Sequence, residues 1–174
     1  MKAVEVRDKV VIGLHEYLGI PVNLADQISP ESEMPYIVYS VTCPYIPERT
    51  LGHFDNKRDN DRNLIKIRCE QAGMTMSFTA CSQNRTEEDG STIFGEDESM
   101  DLAERAQGWF LHAGRRFLSP DVVVESVENA VQRNVLMVDE EANRYGFDVL
   151  LRYIREDIVQ AGTIKTVISE GREI

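Results

Sequence analysis

The residues of this 174-residue chain that could carry chemistry are few and scattered. Its three cysteines, Cys43, Cys69 and Cys81, form no C-x-x-C pair, and each lies in an apolar run. Such thiols usually behave as small buried hydrophobes, so we expect free cysteines rather than a zinc site or a disulfide. His15 has no second metal ligand four residues later, and neither H-E-x-x-H nor a glycine-rich phosphate loop occurs. The sequence therefore predicts no catalytic site, no metal and no cofactor.

A mixed-charge run at residues 55–62 is the segment that most resembles a metal loop. Asp59 and Asp61 alternate within it, as ligands do in calcium-binding loops. The EF-hand pattern, counted from Asp55, requires glycine sixth and glutamate twelfth, but Asn60 and Lys66 stand there. We therefore interpret the run as a solvated loop.

The charge balance limits the kinds of partner. Thirty acidic side chains against nineteen basic ones give a formal net charge of −11. Tight nucleic-acid binding depends on Lys and Arg at the phosphates, so this composition disfavours it and is typical of a soluble protein. The first residues carry Lys2, Glu5, Arg7 and Asp8 and thus predict no signal peptide, and no apolar run is long enough for a membrane span. We expect a soluble protein of a reducing cytoplasm.

The elements that position these residues begin with residues 63–84, which we interpret as a β-hairpin that breaks near Gly73. Strict alternation over its second arm predicts a strand with one apolar and one hydroxyl-bearing face. The apolar members are Met74, Met76, Phe78 and Ala80, and between them stand Thr75, Ser77, Thr79 and Cys81. One face is expected to be core and the other wet.

Two helices are predicted from apolar residues three and four apart. The first carries Val4, Val10, Val11, Leu14, Tyr17 and Leu18, and ends at Gly19 and Pro21. The second begins at an N-cap Ser99 and carries Ala103, Ala106, Phe110, Ala113 and Phe117, with Trp109 as a further core residue. Residues 20–34 are interpreted as a linker, 45–62 as an irregular loop and 85–98 as a flexible acidic loop.

Strands are predicted at residues 36–43, before the second helix, and again in the last third of the chain, at residues 122–131 and 145–154. The run at 145–154 is long enough to extend past the domain body. Because helices and strands are segregated, the sequence predicts a single α+β domain over residues 1–174. Its sheet is mainly antiparallel or mixed, with two helices packed on one face and the order α-β-β-β-α-β-β. Residues 160–174 are predicted to form a C-terminal strand or arm.

Several segments together carry a family pattern: residues 15–22 (HEYLGIPV), 35–39 (PYIVY), 75–79 (TMSFT), 109–110 (WF), 122–124 (VVV), 133–134 (RN), 145–149 (YGFDV) and Arg152. In these segments the chain resembles the neck or tail terminator proteins of tailed phages and prophages. The resemblance spans roughly residues 10–168, and YGFDV is its most specific part. Cys81, where an aromatic residue is expected, and the acidic segment 85–98 depart from the pattern.

The resemblance implies a structural subunit, not an enzyme, which forms a ring, usually a hexamer. Such a ring caps the tail tube and joins it to the head-side connector protein, and DNA passes through it unbound. The protein would then be part of the virion, assembled in the cytoplasm of the bacterial host. The residues alone leave open a second interpretation, a cytoplasmic non-enzymatic adaptor or small-ligand-binding domain without a viral role.

Two charged sets are the candidate interface or lumen residues of such a ring. The mixed-charge run is expected to contribute to contacts between subunits: Asp55, Lys57, Arg58, Asp59, Asp61 and Arg62. The acidic segment is expected to line the lumen, where it would repel DNA: Glu87, Glu88, Asp89, Glu96 and Asp97.

Overall fold

The structure of the chain is a computed structural model, which describes residues 1–25, 33–58, 64–134 and 142–160. In these residues the helices are α1 (Ala3–Leu18), α2 (Gly95–Leu111) and α3 (Ala113–Leu118). The strands are β1 (Val22–Leu24), β2 (Tyr36–Ile46), β3 (His53–Arg58), β4 (Leu64–Ser82), β5 (Arg85–Thr86), β6 (Thr92–Ile93), β7 (Val122–Val127), β8 (Val131–Gln132) and β9 (Asn143–Gln160). Residues 161–174, and with them most of the predicted C-terminal arm, lie outside the described ranges.

One mixed sheet dominates the fold, with the strand order β1-β2-β4-β9-β7. β3 adds to β4 and β8 adds to β9, while β5 and β6 form a separate two-stranded sheet. β1 runs parallel to β2, and every other described pair is antiparallel. The predicted α+β class is therefore confirmed. β1 and β3 lie where the sequence predicts a linker and a loop, and both of those expectations are wrong.

The predicted hairpin at residues 63–84 is wrong, because β4 is one strand of 19 residues. It pairs with β9 without a register break from Ile65↔Gln160 to Ser82↔Asn143. Gly73 makes no turn. A Cβ there would lie 3.1 Å from the Cβ of Ile46 on β2, so the glycine leaves room for the neighbouring strand.

The core lies between the helices and one face of the sheet. α1 contributes Val6, Val10, Leu14 and Leu18, spaced four residues apart. This stripe differs from the predicted one, since Val4 is 55% and Tyr17 is 49% exposed. The alternating apolar residues of β4 face these helices as predicted: Met74, Met76, Phe78 and Ala80 are all buried.

The second predicted helix is divided at His112 into α2 and α3. Ala103, Ala106, Phe110 and Trp109 are buried as predicted, but the break turns Ala113 and Phe117 outward. Gly114 permits the break, because a Cβ there would lie 2.6 Å from the Trp109 ring.

α2 also begins earlier than predicted, at Gly95 rather than after Ser99. A Cβ on Gly95 would lie 2.6 Å from the backbone of Gln83, so only glycine allows this close approach. Asn84 Oδ1 accepts a hydrogen bond from the Gly95 amide at 2.8 Å and satisfies one of the free donors of the first turn. Glu96 and Asp97 therefore lie on a helix and not in a flexible loop.

Cys43, Cys69 and Cys81 are thiols that take part in no disulfide bond. Cys81 is buried, while Cys43 and Cys69 are only partly covered. None of the described helices is long and apolar enough to cross a membrane.

Candidate assembly surfaces

Two strands, β4 and β9, continue beyond the body of the domain, and β3 joins them there. The core residues of β4 and β9 end at Ala72 and Tyr153, and the pairing of β7 with β9 also ends at Tyr153. Past this point β3, residues 64–71 of β4 and residues 154–160 of β9 remain paired as a three-stranded sheet, which we call the extension. At ~3.3 Å per residue its central strand is about 26 Å long. The expectation that the last long strand extends past the body is confirmed.

The extension has apolar side chains in solvent. Phe54, Ile154, Ile158 and Val159 are each between 56% and 63% exposed. Single exposed apolar residues are common on protein surfaces, but several together on one segment are typical of an interaction site. The apolar pattern of the sequence did not predict this group.

Both outer edges of the extension lack a partner strand within the described ranges. β3 pairs with β4 on one side only, and residues 154–160 of β9 likewise pair only with β4. The Met1 ammonium donates to the Ile154 carbonyl at 2.9 Å, so the open part of the β9 edge is residues 155–160. Unpaired edges present free backbone N–H and C=O groups and readily accept another strand. The extension therefore combines two strand edges with exposed apolar side chains.

A charged cluster holds the base of the extension to the body. The Glu70 side chain is fully buried, and it accepts hydrogen bonds from the Tyr45 hydroxyl at 2.5 Å and from Arg68 at 2.7 and 3.0 Å. Burial opposes ionisation of Glu70, but these donors outweigh it and lower the pKa of the carboxyl. Arg68 also reaches Asp157 of β9 at 3.2 Å, and Arg155 stacks over the Tyr45 ring at 4.4 Å. These contacts connect β2, β4 and β9 where the apolar core ends.

The sheet face opposite the helices bears the hydroxyl groups that the alternation predicts, and Arg133 lies across it. Its guanidinium donates to Ser77 Oγ at 2.6 Å, to Thr79 Oγ1 at 3.2 Å and to Asp148 Oδ1 at 2.7 Å. Partial burial opposes ionisation of Asp148, but the donors Ser77 and Arg133 lower its pKa overall. A Cβ on Gly146 would lie 2.8 Å from Arg133 Cδ.

This cluster gives a physical reason for most of the YGFDV segment. Gly146 leaves space for the arginine and Asp148 binds it, while Phe147 and Val149 are buried on the other face. The arrangement holds the short strand β8 against β9 and is structural rather than chemical. Among the described residues no group of three or more His, Cys, Asp or Glu side chains is placed to hold a metal.

The acidic segment lies at the other end of β4. Arg85 donates to both carboxylate oxygens of Glu98, at 2.6 and 2.8 Å, and Ser82 Oγ donates to the same carboxylate. The bond to Arg85 lowers the pKa of Glu98, although partial burial opposes this, and the same bond raises the pKa of Arg85. This pair fixes the first turn of α2 beside the end of β4.

Three of the five predicted lumen residues have local partners. Glu87 lies 3.3 Å from Arg85, Asp89 accepts a hydrogen bond from the Ser91 amide at 2.9 Å, and Glu96 accepts one from the Tyr145 hydroxyl at 3.3 Å. Glu88 and Asp97 are exposed.

The described members of the first charged set lie on the extension. Asp55, Lys57 and Arg58 belong to β3, opposite Ile67, Ile65 and Leu64 of β4, and Lys57 Nζ lies 3.4 Å from Asp55 Oδ2. Asp59, Asp61 and Arg62 lie outside the described residues. The length of β4 separates this set from the acidic set by about 55 Å along the strand, at ~3.3 Å per residue. The two sets therefore belong to different surfaces of one subunit.

One signal in the sequence could have indicated the extension. In β4 Ile65 and Ile67 stand at odd positions, whereas the apolar side chains of Ala72, Met74, Met76, Phe78 and Ala80 stand at even positions. A continuous strand with this pattern presents apolar residues on opposite faces of its two halves. Such a change of face indicates a strand that leaves one core and meets a second partner.

Comparison with known proteins gives one family. A family model described as "phage neck terminator protein" matches residues 8–174, which is nearly the whole chain. No curated protein sequence matches the chain significantly.

Proposed function

The chain belongs to the phage neck terminator family, and from this membership we propose that it is a structural subunit of a ring, a hexamer, at the junction of phage head and tail. The ring caps the tail tube, and its two partners are the tail tube protein on one side and the head-side connector protein on the other. The subunit is made in the cytoplasm of the bacterial host and becomes part of the virion there.

The observation that carries the proposal is the extension. A ring subunit must present two different surfaces that fit each other, because each copy meets the next head to tail. The extension has two different strand edges, with exposed Phe54 near one and exposed Ile158 and Val159 near the other. Its charged residues on β3 supply a polar border for such a contact.

The acid-rich segment supports a role in the passage of DNA. Six copies carry a formal charge of −66, from −11 each. Acidic side chains on a lumen wall repel DNA phosphates over about 8 Å, the Debye length at physiological salt. We assign Glu87, Glu88, Asp89, Glu96 and Asp97 to this wall.

Replacement of these five residues together by Gln and Asn tests the assignment. The expected result is normal particle assembly with slower DNA ejection, because the uncharged wall no longer repels phosphates. A matched variant neutralises Glu5, Glu16, Asp101 and Glu104, which are exposed acidic residues of α1 and α2. Unchanged ejection in the five-residue variant would leave the charge as a solubility feature only.

A phage that does not make this chain tests the proposed function directly. We expect filled heads and separate tails, with few joined particles, because both partners are present but the connecting ring is missing. Supply of the chain in trans should restore joined virions. Normal virions in its absence would contradict the proposal.

A further inference from the structure

The two open edges of the extension differ in charge and match in length. β3 has six residues, His53–Arg58, and the open part of β9 after the Met1 contact at Ile154 also has six, residues 155–160. β3 ends in Lys57 and Arg58, whereas the edge of β9 carries Glu156 and Asp157. One edge is therefore basic at its end and the other is acidic at its centre.

These charges are only partly used within one subunit. Lys57 is 63% exposed, and among the described residues its ion-pair partner is Asp55, 3.4 Å away on the same strand. Glu156 is exposed, and its described side-chain contact is a long one, 3.9 Å to Cys69 Sγ. Asp157 differs, because Arg68 and Arg155 both bind it. Lys57 and Glu156 are thus the charges most available to a neighbour.

We propose that β3 of one copy adds to the free edge of β9, residues 155–160, in the next copy, so that the extensions form one continuous sheet around the ring. The inference rests on the proposed ring. Such a contact is head to tail, since each copy uses its β3 edge on one side and its β9 edge on the other, and it repeats until the ring closes. Backbone hydrogen bonds supply the contact, as in other cases of strand addition.

The exposed apolar residues agree with this arrangement. Phe54 and Val159 both lie on the face of Arg68, so pairing of the two edges puts these side chains on the same face of the joint. Ile158 lies on the other face, with Asp55 and Ile67. Each face of the joint then covers apolar surface that is open in the single subunit.

Cysteine cross-linking tests the contact, because the geometry forbids the same bond within one copy. β3 and β9 are separated by β4, so their Cα atoms lie about 9–10 Å apart, beyond the ~7 Å limit for a disulfide. The parent is the full chain with Cys43 and Cys69 changed to Ser and Cys81 to Ala, after a check that its assembly mass is unchanged. Four double variants combine Asp55→Cys or Lys57→Cys with Glu156→Cys or Ile158→Cys, which all lie on one face.

We expect at least one double variant to give a ladder of covalent species up to the size of the ring under oxidation. A mixture of the corresponding single variants should stop at dimers, since each chain then has one cysteine. The control pair Leu24→Cys and Val123→Cys, on the outer edges of β1 and β7, should not cross-link.

Three results would overturn the inference while the ring itself stands: no cross-link in any double variant of unchanged assembly mass, self-linked dimers of a single variant, or cross-links in the control pair. The first result includes the case in which residues 161–174 occupy the β9 edge. A chain that stays monomeric at high concentration would instead contradict the proposed ring, so the two failures are distinguishable.

Discussion

Replacement of Phe110 by Ala tests the packing of α2 on the sheet. Phe110 is fully buried, and its ring lies 5.0 Å from Phe78, 4.8 Å from Trp109 and 6.1 Å from Phe147, measured between centroids. Loss of a buried Phe side chain costs about 3–5 kcal/mol, which includes the cavity that remains. Contacts between aromatic rings, each worth ~0.5–1.5 kcal/mol, favour the upper part of this range.

A matched variant is Phe117→Ala, because the sequence pattern places both residues in one stripe. Phe117 lies in α3, after the break at His112, and is 42% exposed. Full burial of a Phe side chain is worth ~1.5–3 kcal/mol, so its truncation should cost about 1–2 kcal/mol. The structure thus predicts unequal costs where an unbroken helix predicts similar ones.

Urea and thermal unfolding at one assembly state measure both variants. For a chain of this size each kcal/mol lowers the Tm by about 2–4 °C, so Phe110→Ala should melt about 6–20 °C below the parent. If Phe110→Ala melts within a degree or two of the parent, the packing assignment is wrong. Equal losses in the two variants would refute the break in the helix.

Three further predictions concern the charged residues of β3, the glycine Gly146 and the carboxylate of Glu98. The double variant Lys57→Glu, Arg58→Glu should assemble more weakly than the parent, while the Tm of the subunit stays the same. The assembly of the parent, measured by light scattering, should change with salt concentration. Unchanged light scattering across salt concentrations would count against a charged contact. Gly146→Ala should lower the free energy of unfolding by about 1–3 kcal/mol, because its Cβ would lie 2.6 Å from a backbone carbonyl of the neighbouring strand, and a neutral effect in urea unfolding would contradict that crowding. Glu98→Gln should lower stability by about 1–2 kcal/mol at pH 7. Since Arg85 lowers the folded pKa of Glu98 below its ordinary 4.5, this contribution is present above that value and is lost as pH falls through the folded pKa, so parent and variant should converge in acid.

The sequence predicted the class of the fold because the apolar periods of helices and strands are local. The alternation from Met74 to Ala80 and the position of Trp109 both follow from such periods, and the structure confirms both. Local patterns could not decide what Gly73 does, since a glycine serves equally in a turn and beside a close strand. That depends on Ile46, which is distant in the sequence.

Three further features were not predicted, because each depends on tertiary contacts rather than on a local apolar pattern. β3 has one large apolar residue, Phe54, and its strand form depends on pairing with β4. The stripe predicted for α1 included Val4 and Tyr17, which are exposed, and left out Val6, which is buried. The break at His112 follows from the contact of Gly114 with Trp109.

The candidate surfaces were only partly predictable. The mixed charge and the length of the predicted loop indicated Lys57 and Arg58 as interface residues, and the structure puts both on an edge of the extension. The apolar part of that surface was not foreseen, because Val159 continues the odd-numbered core pattern that ends at Tyr153, while Ile154 and Ile158 lie on the opposite face. Only the end of the core at Tyr153 shows that they are exposed.

The mass of the purified chain in solution tests the central claim most directly. Light scattering or native mass spectrometry over a wide range of concentration should give a discrete closed species. Six copies of the 19.8 kDa chain predict a mass of about 119 kDa. A mass of 19.8 kDa that persists at the highest concentration, with the subunit folded, would contradict the ring.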